Sequence, residues 1–349
     1  MEHNDNDCLN LILSHINNKS FEYKNLALSP VSIEILLALL TKGASYGETQ
    51  TKLLNSIHPE CLSIFELDNY LSQTISALSS SPLILTTASI LSTDNSLTEH
   101  FKFDCNEYQI LTSKKLTALE LNEWCANKTN GLITNIFSPN IEEYDFILVN
   151  VLYFKGSWLN TFTTTTQDIF YNSLGKKLKC SMMSVYNKFR VNINEDYEAV
   201  VLNYKETTKI KALCVMPSTQ TIDEFINGLS PHKIKDIVNQ CVEMIIKVNL
   251  PKFEIETFID VSSAFGKELF TGEFRNMFDE VNANKQIEVK QKCVIKVDEH
   301  GTTACSVSYA GGKKGRIKSI TFNTSFAFII YHIDIEDNIL FLGKVEKPL

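Results

Sequence analysis

Residues 300–320, HGTTACSVSYAGGKKGRIKSI, constrain the fold more than any other stretch of the chain. Before them lies QIEVKQKCVIKVDE, which alternates as a strand does, and after them ITFNTSFAFIIYHIDI, which reads as strand again. Connections in compact domains usually run about 4–6 residues, and loops beyond about 12–15 are either functional or disordered. The first half of this loop is sorted by parity. In strand register Thr302, Ala304, Ser306 and Ser308 share one uniformly small face, while Thr303, Cys305, Val307 and Tyr309 share the bulkier one. A solvated linker has no reason to sort its residues this way, whereas a segment that slides into a crowded sheet does. A chance pattern in a Ser/Thr-rich run stays open at this level. The second half, AGGKKGRIKS, is flexible and basic, as a solvated loop or a nuclear-localisation patch would be.

The rest of the chain supplies a body for that loop. At 349 residues and 44% hydrophobic it can bury a sizeable core. No linker or internal repeat divides it, so residues 1–349 are read as one domain. SPVSIEILLALLTKGA is a helix, with Ser29 as cap, Pro30 in its first turn and Gly43 after its last apolar turn. It is apolar nearly all round and should be buried. SYGETQTKLL starts another helix, with Ser45 and Glu48 spaced as a capping box. FTTTTQD reads as an exposed connection, and FILVNVLYFKGSW as a central strand. LILTTASILST, AVVLNY, IKALCVMP and MIIKVNLPKFEIE are further strands; DEFINGLSPHKIKDIV and DVSSAFGKELF are helical. Strands and helices come in runs rather than in βαβ alternation, which gives an α+β class with large antiparallel or mixed sheets.

Composition and motifs exclude more than they select. A net charge of −8 argues against a nucleic-acid partner. No segment has the roughly 18–20 apolar residues of a membrane span. The start, MEHNDNDCLN, lacks a basic and then apolar leader, so a cytosolic chain is expected. Nine cysteines without CxxC spacing read as reduced thiols, several of them buried. No metal or cofactor motif occurs. There is no GxSxG, HExxH or GxxxxGK[ST], and no nucleophile–base set for an enzyme. SSAFGKE lacks the glycine and hydroxyl of a phosphate loop. His332, in an apolar strand, is a structural histidine, and Glu142 and Glu143 are solvated surface.

Several motifs in order resemble the serpins. VDEHGTTACSVS is similar to their hinge, NLALSPVSIEILLALLTKGASYGETQTKL to their second helix and the turn after it, and LVNVLYFKGSW to the third strand of their sheet A. VNLPKFEIE and FNTSFAF with ILFLGKVEKP resemble their later strands, so the likeness runs from about residue 8 to the end. It implies one domain of three β-sheets and eight to nine helices, with a reactive-centre loop at about residues 300–320 and a hinge at 299–308. It also implies a metastable native state and a suicide mechanism, in which a cleaved loop inserts into the central sheet and traps an acyl-enzyme. The implied hinge residues are Glu299, Gly301, Thr302, Ala304, Ser306 and Ser308, with Glu299 paired to Lys252. Ser29, Ser32 and Asn150 would lie in the shutter beneath the sheet, and Trp158 near the breach at its top. Ser29 has the plainer reading of a helix cap, and Trp158 that of core. Gln291 stands where the family has a shutter histidine, and Ser325 where it has a proline. Cys305 and Val307 replace hinge alanines on the outward face.

The cleaved bond sets the target. Counting forward from Gly301 reaches Gly315, and counting back from Phe322 reaches Lys314; Arg316 precedes Ile317. A glycine has no side chain to anchor. Lys314 and Arg316 both suit a trypsin-like pocket with an acid at its base. Arg316 is favoured because Gly-Arg before Ile suits such a protease. No Asp or Glu lies between Glu299 and Asp334, which disfavours an acid-specific protease. The expected partner is a trypsin-like serine protease in covalent complex with a monomer. A non-inhibitory binding module and a cross-class inhibitor of cysteine proteases are the alternatives. The short N-terminus and Asn/Ile/Lys-rich composition resemble the serpins of poxviruses, which suggests a viral protein in the host-cell cytoplasm, with unconventional secretion open.

Overall fold

The structure is a computed structural model that describes residues 9, 13, 24–57, 63–79, 84–93, 97–102, 110–114, 116–129, 131, 133–134, 137, 146–279, 284–302, 318–334 and 339–349. Near its centre lies helix α1 (Pro30–Gly43), buried on almost every side. Ser29 caps it, its Oγ accepting from Ser32 N at 3.4 Å, and Pro30 opens the first turn where no N–H is needed. Gly43 is the last helical residue rather than a cap beyond it. A Cβ there would lie 2.5 Å from Met277 Cε, so close packing requires the glycine. The Ser45–Glu48 box does not form. Helix α2 (Glu48–Ile57) starts at Glu48, whose carboxylate pairs with Lys52 at 2.6 Å, while Ser45 Oγ accepts from Arg275 N at 3.1 Å. Helix α3 spans Ile64–Ser79. Boxes do form ahead of α4 (Ala118–Lys128), through Thr117 and Glu120, and α5 (Ile222–Asn227), through Thr221 and Glu224. Helix α6 (Pro231–Asn239) follows at once, so DEFINGLSPHKIKDIV is two helices with Gly228, Leu229 and Ser230 between them.

The larger sheet has nine strands among the described residues. Its order is β1 (Leu26–Leu28), β17 (Ile339–Val345), β16 (Phe326–His332), β8 (Ile210–Pro217), β7 (Tyr197–Asn203), β6 (Lys177–Ile193), β9 (Val242–Pro251) and β15 (Ser319–Thr321). The ninth, β5 (Thr164–Tyr171), pairs with β6 and holds most of the run expected as a connection. Threonine is a good strand former, and on β5 it takes ladder positions opposite β6. The second sheet has the order β10 (Phe253–Asp260), β13 (Glu288–Val297), β4 (Phe146–Ser157), β2 (Ile84–Thr93) and β3 (Ile110–Lys114), with β14 (Gly301–Thr302) beside β4. A small pair, β11 (Thr271–Glu273) and β12 (Asn284–Gln286), makes the third. The described residues thus show three sheets and eight helical elements, one of them 3₁₀.

MIIKVNLPKFEIE is split between the two large sheets, since β9 ends at Pro251 and β10 begins at Phe253. Lys252 sits at that switch. Phe253 and Phe326 fill the space between the sheets at a ring separation of 5.7 Å, and Phe322 and Phe328 extend the cluster. The GKE segment is a turn: Gly266, at φ 89°, joins α7 (Val261–Phe265) to the 3₁₀ turn Lys267–Phe270. His332 is buried and accepts from Asp334 N at 3.3 Å. Cys125, Cys180, Cys214, Cys241 and Cys293 are free and buried, and burial pushes the Cys125 thiol up to about 12. Thiols so far from ionisation are inert packing groups.

Candidate functional site

The site grows out of one strand pair. β13 and β4 run parallel and are in register from Glu288↔Ile147 to Val294↔Tyr153, where the pairing stops. Each strand continues past that point without the other. The chain leaves β13, turns through residues 298–300, and returns as β14, antiparallel to β4 with Gly301 opposite Ser157 and Thr302 opposite Gly156. A bridge from Asp298 to Gly301 closes the turn. Gly301 and Thr302, near the start of the long loop, therefore already lie as sheet at the end where β4 and β13 have parted.

Gly301 makes that approach possible. A Cβ on it would stand 2.1 Å from Gly156 O and 2.7 Å from Ser157 Cα, which is a collision with backbone rather than with a movable side chain. The turn itself is clamped from two sides. Trp158 is fully buried and stacks on Tyr204 at 4.8 Å; its Nε1 donates to Asp298 O at 3.1 Å and its backbone N to His300 O at 2.9 Å. On the other side Glu299 O accepts from Phe162 N at 2.9 Å. The Glu299 carboxylate meets Lys252 Nζ at 2.5 Å and Thr165 Oγ1 at 2.6 Å. Burial pushes this carboxyl up, but hydrogen bonds from Lys252 and Thr165 and the Lys252 charge outweigh it and hold it below its ordinary value.

Seven residues down β4 lies a second cluster, about 23 Å away along the strand. Asn150 and Gln291 face each other in the β4–β13 register, both fully buried. Gln291 reaches the cap of α1 with both ends of its amide: Oε1 accepts from Ser29 N at 3.1 Å and Nε2 donates to Ser29 O at 2.9 Å. Ser32 is buried one turn below. A glutamine at this position thus does with one planar group what needs both a donor and an acceptor. Ser325 Oγ, in the other departure from the family pattern, donates to buried Glu346 at 2.7 Å and lies 3.2 Å from Ser173 Oγ.

The structure brings Glu299, Gly301, Lys252 and Trp158 together at one end of the pair, and Ser29, Ser32 and Asn150 at the other. Thr302 joins the first group through its backbone. Ala304, Ser306 and Ser308 lie outside the described residues, as do Lys314, Gly315, Arg316 and Ile317. The chain resumes at Lys318, whose carbonyl accepts from Lys247 N at 3.0 Å before β15 pairs in parallel with β9. Sequence reasoning missed Tyr204, which AVVLNY carried as a plain strand end, and Thr165, which lay in the run read as a connection.

The split parallel pair, the returning two-residue strand and the chain beyond Lys318 laid on the larger sheet can be set beside known families. The family model described as serpin (serine protease inhibitor) matches residues 2–348. The chain is a serpin. It is 27% identical over 358 residues to a serine protease inhibitor of the mouse, covering 93% of this chain and 83% of that protein. It is 25% identical to the Drosophila melanogaster serine protease inhibitor 42Dd, covering 95% and 93%. The solved structure of thyroxine-binding globulin in complex with thyroxine has the same fold, with a TM-score of 0.83, 20% identity and 98% of each chain covered. The mouse and fly relatives are animal proteins, and they lend no support to the poxvirus affiliation or the viral setting suggested by composition.

Proposed function

We propose that this serpin is a suicide-substrate inhibitor of a trypsin-like serine protease, acting as a monomer. The observation that carries the reading is the two-residue start of a strand, Gly301–Thr302, laid antiparallel on β4 where β4 and β13 part. A loop that begins this way can continue as a full strand between them once its far end is cut. The target serine attacks the carbonyl carbon of Arg316 or Lys314, the acyl ester forms, and the amine of Ile317 or Gly315 leaves. About 15 inserted residues at ~3.3 Å each would then carry the tethered protease roughly 50 Å. Insertion competes with hydrolysis of the ester, and each ~1.4 kcal/mol on its barrier shifts that race tenfold.

The residues argue for the parts. Thr302, Ala304, Ser306 and Ser308 put no charge on the face that insertion buries, where an unpaired charge costs several kcal/mol. Lys252 and Glu299 hold the hinge at the entry, and Gln291 holds β13 to α1 while β4 moves. The long cation at Arg316 or Lys314 fills a pocket with an acid at its base. This chain supplies the cleaved bond and the strand; the protease supplies the nucleophile.

A non-inhibitory reading draws on thyroxine-binding globulin, which shares the fold and is seen with a small molecule. The small hinge face favours inhibition. The deciding experiment incubates the chain with a panel of trypsin-like proteases and follows denaturing gels and the mass of the C-terminal fragment. A covalent adduct with a fragment beginning at Ile317 or Gly315 is expected. Cleavage without adduct would select the non-inhibitory reading.

A further inference from the structure

The end of β4 is held from behind by a segment of the other sheet. Trp158 forms an antiparallel bridge with Tyr204, which sets Ser157 opposite Lys205 and Leu159 opposite Asn203. Residues so opposed in an antiparallel ladder exchange both of their backbone bonds. Leu159 N donates to Asn203 O at 2.8 Å, and Lys205 N donates to Ser157 O at 2.9 Å. The ladder then calls for Ser157 N to donate to Lys205 O. It donates instead to the side chain of Glu206, with both carboxylate oxygens 3.1 Å from the nitrogen. A carboxylate thus stands where a strand would present its carbonyl.

Two further observations give that substitution a purpose. Glu206 is exposed, in the turn between β7 and β8, and among the described residues its carboxylate has no cation in ion-pair range. Holding the Ser157 amide is what it does. Ser157 is also the residue that faces Gly301, the start of the two-residue strand β14. Its N–H and C=O turn toward Lys205 and Glu206, while the next amide, Trp158 N, turns the other way and donates to His300 O at 2.9 Å. The last residues of β4 are therefore fixed on the side away from the hinge, which leaves the hinge side free to be paired. Bonds from an amide to an ionised acceptor are roughly twice as strong as neutral ones, so the carboxylate grips more firmly than the carbonyl it replaces.

We propose that Glu206 is a positioning residue for loop insertion, fixing the end of β4 as the template on which the strand begun at Gly301 grows. The inference rests on the inhibitory reading above. A strand end whose amide is left to water frays, and ordering it again costs conformational entropy. Without Glu206 that cost falls on the insertion step. With it, the template is ordered beforehand, and the cleaved bond is untouched either way.

The test compares the parent with Glu206→Ala, Glu206→Gln and the control Glu195→Ala, an exposed acid in the turn between β6 and β7. Two readouts are taken: the number of chains consumed per molecule of trypsin-like target trapped, and the rate at which the uncut chain takes up a labelled peptide with the sequence of residues 302–313. Peptide uptake needs no protease, so it tests Glu206 even where no protease of the panel is trapped. Glu206→Ala should take up the peptide about five- to tenfold more slowly and consume several-fold more chain per protease, while the target cuts its loop at the parent's rate. The melting temperature of the uncut chain should stay close to the parent's, which separates positioning from a merely structural role. Glu206→Gln keeps an oxygen for Ser157 N and should recover most of the loss. Glu195→Ala should match the parent. Parental uptake by Glu206→Ala, or an equal loss in Glu206→Gln, would overturn this inference and leave the inhibitory reading standing. A parent that neither traps protease nor takes up peptide would overturn both.

Discussion

Replacing Gly301 by alanine tests the hinge geometry with a single methyl group. In the native fold that methyl would stand 2.1 Å from Gly156 O, well inside contact, and the neighbouring Ser157 Cα lies at 2.7 Å. Neither atom can rotate away, so the hinge or β4 must shift. Forcing extra volume into a packed site costs about 1–3 kcal/mol. The uncut hinge can relieve that contact by lifting off β4, but a strand entering beside β4 at this register cannot, so most of the cost falls on insertion. At ~1.4 kcal/mol per tenfold, insertion should slow by about 5- to 150-fold against unchanged ester hydrolysis. The assay is titration of a trypsin-like target, with the number of inhibitor molecules consumed per protease trapped. That number should rise at least several-fold in Gly301→Ala, with cleaved, unadducted chain as the product. If the variant traps protease with the parent's economy, the two-residue strand at Gly301 and Thr302 is not the doorway through which the loop enters.

Four further outcomes follow from the same geometry. Cutting the loop with a protease that is not trapped should raise the melting temperature by tens of degrees, read by calorimetry, because the sheet gains a strand. Thr302→Arg should leave cleavage intact and abolish adduct on gels, since it places an uncompensated charge on the buried face at a cost of several kcal/mol. Gln291→Leu strands Ser29 N in the interior, while Ser29 O keeps its helical bond from Ile33 N, and should lower native stability by about 1–3 kcal/mol in urea unfolding, with Gln291→His milder. The Glu299 carboxyl is held below its ordinary value by Lys252 and Thr165 against burial, so its stabilising contribution is full above the unfolded-state value of about 4.3 and is lost as pH falls through the lower folded value. Acid titration of hinge susceptibility to a non-specific protease should show that loss in the parent and be flat in Glu299→Gln.

Much of this fold was readable because its long apolar runs leave little choice. The run from Phe146 to Ser157 is a central strand for the reason its β-branched and aromatic content suggests, and the segment from Pro30 to Gly43 is a buried helix because no face of it is polar. What could not be read is where chemistry depends on partners distant in sequence. Ser45 and Glu48 have the spacing of a box, yet Arg275 N takes the serine oxygen. The threonines of β5 look like a linker until β6 supplies their ladder. Gly43 looks like a terminator until Met277 is placed against it. At the hinge, the type of Glu299, Gly301 and Lys252 was legible through likeness to a family. The reason for Gly301, a backbone oxygen at 2.1 Å from an imagined methyl, required coordinates.

Beyond Lys318 the chain returns to the interior of the nine-stranded sheet. β15 lies along β9, and β16 and β17 are buried along their whole length between β8 and β1. A nick in the loop therefore severs covalent continuity without loosening the piece that follows. The two fragments should travel as one particle through a sizing column and part only in denaturant, so a cleaved molecule would pass for an intact one in any assay that reads mass under native conditions.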